Sequence, residues 1–312
     1  MMSIIVGNRD EAEADPIGRE PRQAVETYRH LRMLLIALPA FLLVTTGFGG
    51  WILGDFADSI SANYSAPLRD IFVGSLVAIG ACLIAYRGRP VEDLALNIAG
   101  FYAMFVAFVP HYLSDVLTGR SELEGQELVD ATAAANELLP VLPIVVGSLV
   151  VIAAVFIIVE ARRGLLKRHT KTTSMRHRIM FYSTAVLGVA FLILLFVTAA
   201  NGTYSGVHMV AAILMIAGLA IAVASHGWDA AARRTTPKIA GQYRLIFWLM
   251  VAVGVVLGYH LFRPLPLENA VAYIEWAAIL LFTWYWVAET VRQELAIRTD
   301  PMSLPRPGDA AS

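Results

Sequence analysis

Residues 138–178 read LLPVLPIVVGSLVVIAAVFIIVEARRGLLKRHTKTTSMRHR. The first half is one unbroken apolar run and the second half carries seven Lys and Arg. A run of about 20 apolar residues crosses the ~30 Å of bilayer hydrocarbon as a helix. The run is continuous and does not alternate with period two, so it is not a barrel strand. The basic half reads as a cytoplasmic anchor held by the positive-inside rule and by anionic lipid.

The same alternation recurs along the chain. Spans are expected near 32–54, 70–86, 95–117, 138–160, 178–199, 205–225, 243–262 and 269–291, the second being short. With the N-terminus inside, 21 of the 24 Lys and Arg fall on the cytoplasmic side, leaving only Arg69, Arg120 and Arg263 outside. The expected fold class is therefore all-α: a polytopic bundle of eight transmembrane helices, N-in and C-in. Residues 1–30 form a cytoplasmic tail, 31–292 the transmembrane domain and 293–312 a disordered cytoplasmic tail.

Composition agrees. Of the 312 residues, 57 % are hydrophobic and 16 % charged, against about 25 % charged in soluble domains. The mean hydropathy is +0.63. The apolar content excludes disorder, and the single cysteine, Cys82, excludes an internal disulfide and reads as inert packing. A net charge of −1 gives no nucleic-acid signature. A short interfacial helix is expected within 118–137, with Leu123, Leu128 and Val129 on its apolar face. The aromatics Trp51, Trp276, Trp284, Tyr285 and Trp286 read mainly as membrane-interface or lipid-facing rings.

Ionisable residues near spans are costly and mark functional positions. They gather at the outer ends: His111, Asp115, His208, His260, Arg69, Asp70, Glu268 and Glu275. His111 and Asp115 share a helix face, and Pro110 is placed to kink the chain before them. Glu275, about one turn inside the membrane, requires a cation, a donor or a proton. The first outer loop, 55–70, is rich in hydroxyls.

These residues suit several chemistries. His208, His111 and His260 form a candidate metal set, with Zn the implied cofactor. His208, Glu275 and Asp70 are the candidate catalytic groups. Arg69, Ser59, Ser61 and Tyr64 are the candidate ligand-binding groups, the guanidinium suiting phosphate or carboxylate. A metal-free alternative uses Ser59, Ser61 or Ser65 as nucleophile and His208 as base. Transport of a proton or cation is a further alternative. The cytoplasmic halves of the spans carry almost no buried charge to continue a path, their best polar groups being Tyr86, Asn97, Tyr182 and Ser183.

Residues 59–88, SISANYSAPLRDIFVGSLVAIGACLIAYRG, resemble the Ser-x-Ser…Tyr…Arg-Asp-x-Phe-Val-Gly…Tyr-x-Gly stretch of a family of uncharacterised bacterial polytopic membrane proteins, distantly similar to the DRAM/Sfk kind. The resemblance continues at 97–100, at His208, at Tyr243-Arg244 and at Glu275-Trp276. It implies matches at Ser59, Ser61, Tyr64, Arg69, Asp70, His208 and Glu275, and a bacterial inner-membrane location, but no activity. His111 departs from the pattern. The alkaline ceramidases and progestin-receptor-like hydrolases are similar in residue types only. The expected function is a polar pocket at the extracytoplasmic face that binds a lipid headgroup or small polar ligand. The alternatives are a metal-dependent lipid hydrolase and a proton- or cation-coupled transporter. Expected partners are membrane lipids, and a second copy or another membrane protein; nucleic acid is not expected.

Overall fold

The computed structural model describes residues 16–53, 59–60, 68–119, 125–162, 175–228, 237–263 and 269–299. They form ten helices: α1 Pro16–Leu53, α2 Arg69–Ala85, α3 Pro90–Phe108, α4 Leu113–Thr118, α5 Gly125–Leu138, α6 Leu142–Arg162, α7 Met175–Ala200, α8 Val207–Trp228, α9 Pro237–Phe262 and α10 Ala270–Thr299. Seven are long and apolar enough to cross a membrane. The chain is a multi-pass helical membrane protein. α2 is a 17-residue helix, about 26 Å long, packed between α1 and α3.

Six helices close a ring. α3 packs on α8, α8 on α9, α9 on α10, α10 on α1, α1 on α2 and α2 on α3. Its interior near the chain termini is filled from all six, by Leu35, Leu83, Leu96, Val223, Ile246 and Phe282 among others. α6 and α7 lie outside the ring against α3. They expose Ile144, Ile152, Val186 and Phe196, the apolar surface that lipid requires.

Small residues let α3 approach both neighbours. A Cβ on Gly100 would lie 2.6 Å from the Gly80 carbonyl oxygen, and one on Gly218 would lie 2.9 Å from that of Ala95. Close backbone approach is how helices gain packing in lipid, where water drives nothing.

Several expectations are corrected. The third helix covers 90–108, not 95–117. Pro90 starts it, because proline suits the first helical turn, and the chain breaks at Val109 before Pro110 and resumes as the short α4. α10 continues past 292 to Thr299, tied to α1 by a 3.1 Å Arg29–Glu294 ion pair. The short helix expected within 118–137 is present as α5, with Leu128 and Val129 exposed and Ala131 and Ala135 against the protein, while Leu123 lies outside the described residues. Tyr285 and Trp286 are fully buried, while Trp284 is exposed. Consecutive helical residues sit about 100° apart, so one ring faces out and two face in.

Candidate functional site

The strongest polar site lies inside the ring at the end where α1 begins and α10 finishes. His226, in the last turn of α8, is completely buried. Its Nε2 is 2.8 Å from Glu92 Oε1 on α3, and its Nδ1 is 3.3 Å from Glu289 Oε2 on α10. Three different helices thus supply one carboxylate–imidazole–carboxylate unit.

Each member is fixed by its own surroundings. Glu92 is the third residue of α3, and its Oε2 accepts the Arg89 backbone N–H at the helix start, as in a capping box. Gly88 makes room for it: a Cβ there would fall 2.6 Å from the Glu92 carboxyl carbon. Glu289 accepts a two-pronged pair of bonds from Arg292 on the same helix. It also accepts the Tyr243 hydroxyl at 2.8 Å and the Gln293 amide at 2.6 Å. The Tyr285 hydroxyl donates to Glu92 Oε1 at 3.3 Å and lies 2.9 Å from His226 Nε2. Gln293 reaches on to the Tyr86 hydroxyl at 3.4 Å, and the Tyr86 ring stands edge-on to Trp286.

An ionised carboxylate only accepts, so a hydrogen bond across the 2.8 Å Nε2–Glu92 contact needs a proton on the imidazole or on the carboxyl. The charged groups gathered at this end are the carboxylates of Glu92 and Glu289 and the guanidiniums of Arg292 and the buried Arg32. An unbalanced charge buried in hydrocarbon would cost several kcal/mol, on the order of the penalty per buried ion in proteins.

The opposite end of the ring holds the residues singled out from sequence. The Ser59 hydroxyl donates to Glu275 Oε2 at 2.8 Å, and the Ile60 N–H donates to the same oxygen at 2.6 Å. The donors that Glu275 requires come from the first loop. His208 is buried, with Nδ1 2.6 Å from the Val109 carbonyl oxygen. The helix break before Pro110 removes that oxygen's usual helical partner, and the imidazole N–H takes its place, leaving the lone pair on Nε2. The His111 ring is 5.9 Å from that of His208. Arg69 and Asp70 are exposed at the start of α2. Ser61 and Tyr64 lie outside the described residues, as does the His260 side chain, although its backbone is in α9. Among the described residues no three His, Cys, Asp or Glu side chains are placed to share a metal ion.

The expectation that the termini end lacks buried charge is overturned by Glu92, His226 and Glu289. Glu92 precedes the apolar run of the third span and sits among Arg87, Arg89 and Asp93, where an acid is ordinary. Glu289 is the first charged residue after Glu275 on α10, and its partner on α8 is far away in sequence. One signal was present: Glu275 and Glu289 are 14 residues apart on one helix, close to four full turns. Of the expected path residues, Tyr86 is buried in this network. Asn97 keeps a buried side-chain oxygen with no partner among the described residues. Tyr182 is exposed, and the Ser183 hydroxyl bonds its own helix at Met180.

The ring and its carboxylate–histidine site define a polytopic helical membrane protein with a buried ionisable centre. No protein-family profile, curated protein or solved structure matches the chain.

Proposed function

We propose that the protein is a proton-coupled membrane transporter. Glu92, His226 and Glu289 are its proton site, and the end bearing Glu275, Ser59, His208 and His111 is the mouth that takes a small polar ligand or cation. The observation that carries the reading is His226 held between two carboxylates from two other helices. Such a unit changes its charge by one when a proton leaves, and the loss falls on the α3–α8–α10 packing. Buried ionisable groups in membrane helices commonly serve proton relays. Two helices carry ionisable groups at both ends. On α10, Glu275 and Glu289 are about 21 Å apart along the axis; on α8, His208 and His226 are five turns apart, about 27 Å. The apolar and aromatic packing between the two ends suits an occluded state.

The topology proposed with it has α2 as the eighth crossing and both termini in the cytoplasm of a bacterial inner membrane. The distribution of Lys and Arg supports this, and so does the Arg29–Glu294 pair, which joins the start of the first helix to the end of the last. Membership of the bacterial family that residues 59–88 resemble is part of the same proposal.

The test is proton movement in liposomes loaded with a pH-sensitive dye, under imposed gradients of Na⁺ and of small polar solutes. Coupled proton flux is expected for the wild type, and its loss in His226→Asn and Glu92→Gln. Absence of coupled flux under every gradient, in vesicles holding folded protein, contradicts the proposal.

A second reading draws on the His111–His208 pair and the Ser59–Glu275 bond: a mouth binding a lipid headgroup, with or without a Zn-dependent hydrolytic step. Metal content and lipid turnover of purified protein separate it from transport.

A further inference from the structure

A second polar site lies between α1 and α10, at the same end of the bundle as the His226 site but made of different residues. Arg32 on α1 is 3 % exposed. Its Nε–H has no hydrogen-bond partner among the described residues, and the same holds for the Trp286 indole N–H and the Thr290 hydroxyl. None of the ion pairs among the described residues involves Arg32.

The helix register places the three at neighbouring levels of α1 and α10. Arg29 of α1 pairs with Glu294 of α10. The two helices run in opposite directions, so one turn deeper on α1 is Arg32 and one turn deeper on α10 is Thr290. Trp286 follows Thr290 by one further turn on the same face. The Trp286 ring packs on Tyr86 at 4.9 Å, and Arg32 lies within electrostatic reach of the Tyr86 hydroxyl.

Thr290 is unusual in its own helix. Thr46, Thr118, Thr132, Thr198 and Thr283 each donate to the carbonyl four residues earlier, the default for a helical hydroxyl. Thr290 does not.

Guanidinium and indole N–H groups donate and cannot accept. A set of buried donors around a positive charge calls for an acceptor-only group that is also negative. Water would supply acceptors but no negative charge beside the guanidinium. We propose that Arg32, Trp286 and Thr290 bind an oxyanion of the phosphate class between α1 and α10. Arg32 is about one turn deeper than the exposed Arg29, on the order of 5 Å. The site is therefore within reach of a lipid phosphate from the headgroup layer and of free phosphate from the aqueous side.

The test is thermal unfolding of the full chain. In detergent, inorganic phosphate is compared with chloride at equal ionic strength. In nanodiscs, phosphatidylglycerol is compared with phosphatidylcholine. Stabilisation by phosphate alone identifies a free oxyanion, and stabilisation by phosphatidylglycerol identifies a lipid. Arg32→Gln is expected to weaken the anion's apparent affinity about tenfold, as for one charge-assisted hydrogen bond. Trp286→Phe and Thr290→Val, which keep shape and remove a donor, are each expected to weaken it several-fold, and they serve if Arg32→Gln fails to fold. No anion-specific stabilisation of the wild type, or an unchanged anion response in both Trp286→Phe and Thr290→Val, overturns the proposal.

Discussion

His226 and Glu289 meet across the α8–α10 boundary with 3.3 Å between Nδ1 and Oε2, although 63 residues separate them in the chain. The contact joins a helix whose other end carries His208 to one whose other end carries Glu275. Any change in the proton content of this pair acts on two helices that run the length of the bundle. That is the physical basis for reading the site as a switch in packing and not only as a staple.

Removing one partner should be costly. His226→Asn or Glu289→Gln leaves a buried charge without its counter-charge, a loss of about 3–5 kcal/mol in comparable buried pairs. Thermal unfolding in detergent should show a large drop for each single variant. The Glu92→Gln/His226→Asn double variant should lose less than the sum of its parts.

Tyr243→Phe removes one of several donors to Glu289. A loss of about 1 kcal/mol is expected, the ordinary net value of one hydrogen bond. Because Arg292 and Gln293 still hold the carboxylate, the variant should remain folded. A loss as large as that of Glu289→Gln would show that Tyr243 acts by packing instead.

Gly88→Ala places a methyl 2.6 Å from the Glu92 carboxyl group, whereas Gly74→Ala meets nothing within 4 Å. The first should destabilise by about 1–3 kcal/mol through overpacking. The second should be neutral or slightly stabilising, since alanine favours the helix. Equal unfolding midpoints for the two variants would argue against a tight seat for Glu92.

At the other end, Ser59→Ala removes the hydroxyl donor to Glu275 while the Ile60 N–H remains. The expected cost is about 1 kcal/mol for a half-buried carboxylate that loses one of its donors. In the Glu275→Gln background the same substitution should cost less. Additive losses in that cycle would mean that the Ser59 hydroxyl is held by something other than Glu275.

The membrane-spanning character was legible because hydrocarbon permits few alternatives: long apolar runs must be helices. The requirement of Glu275 for donors was legible for the same reason. What stayed hidden depends on pairing between distant elements. Glu92 sits among charged residues at a helix start and resembles an ordinary first-turn acid until α8 is packed against it through Gly218 and Ala95. Its bond to His226 spans 134 residues of chain, and no local pattern encodes that separation. The end of α3 is masked in the sequence because Val109 is as apolar as the helix before it, and only Pro110 marks the break.

The decisive experiment on the proton site is ¹⁵N nuclear magnetic resonance of the His226 ring in bilayer-reconstituted protein, followed over the pH range in which it stays folded. Assignment would be by comparison with His226→Asn. The proposed proton site predicts a reversible change in the ring signals as a proton leaves, with that change altered in Glu92→Gln and Glu289→Gln. A ring with one bare nitrogen that is unchanged throughout the titration would contradict it.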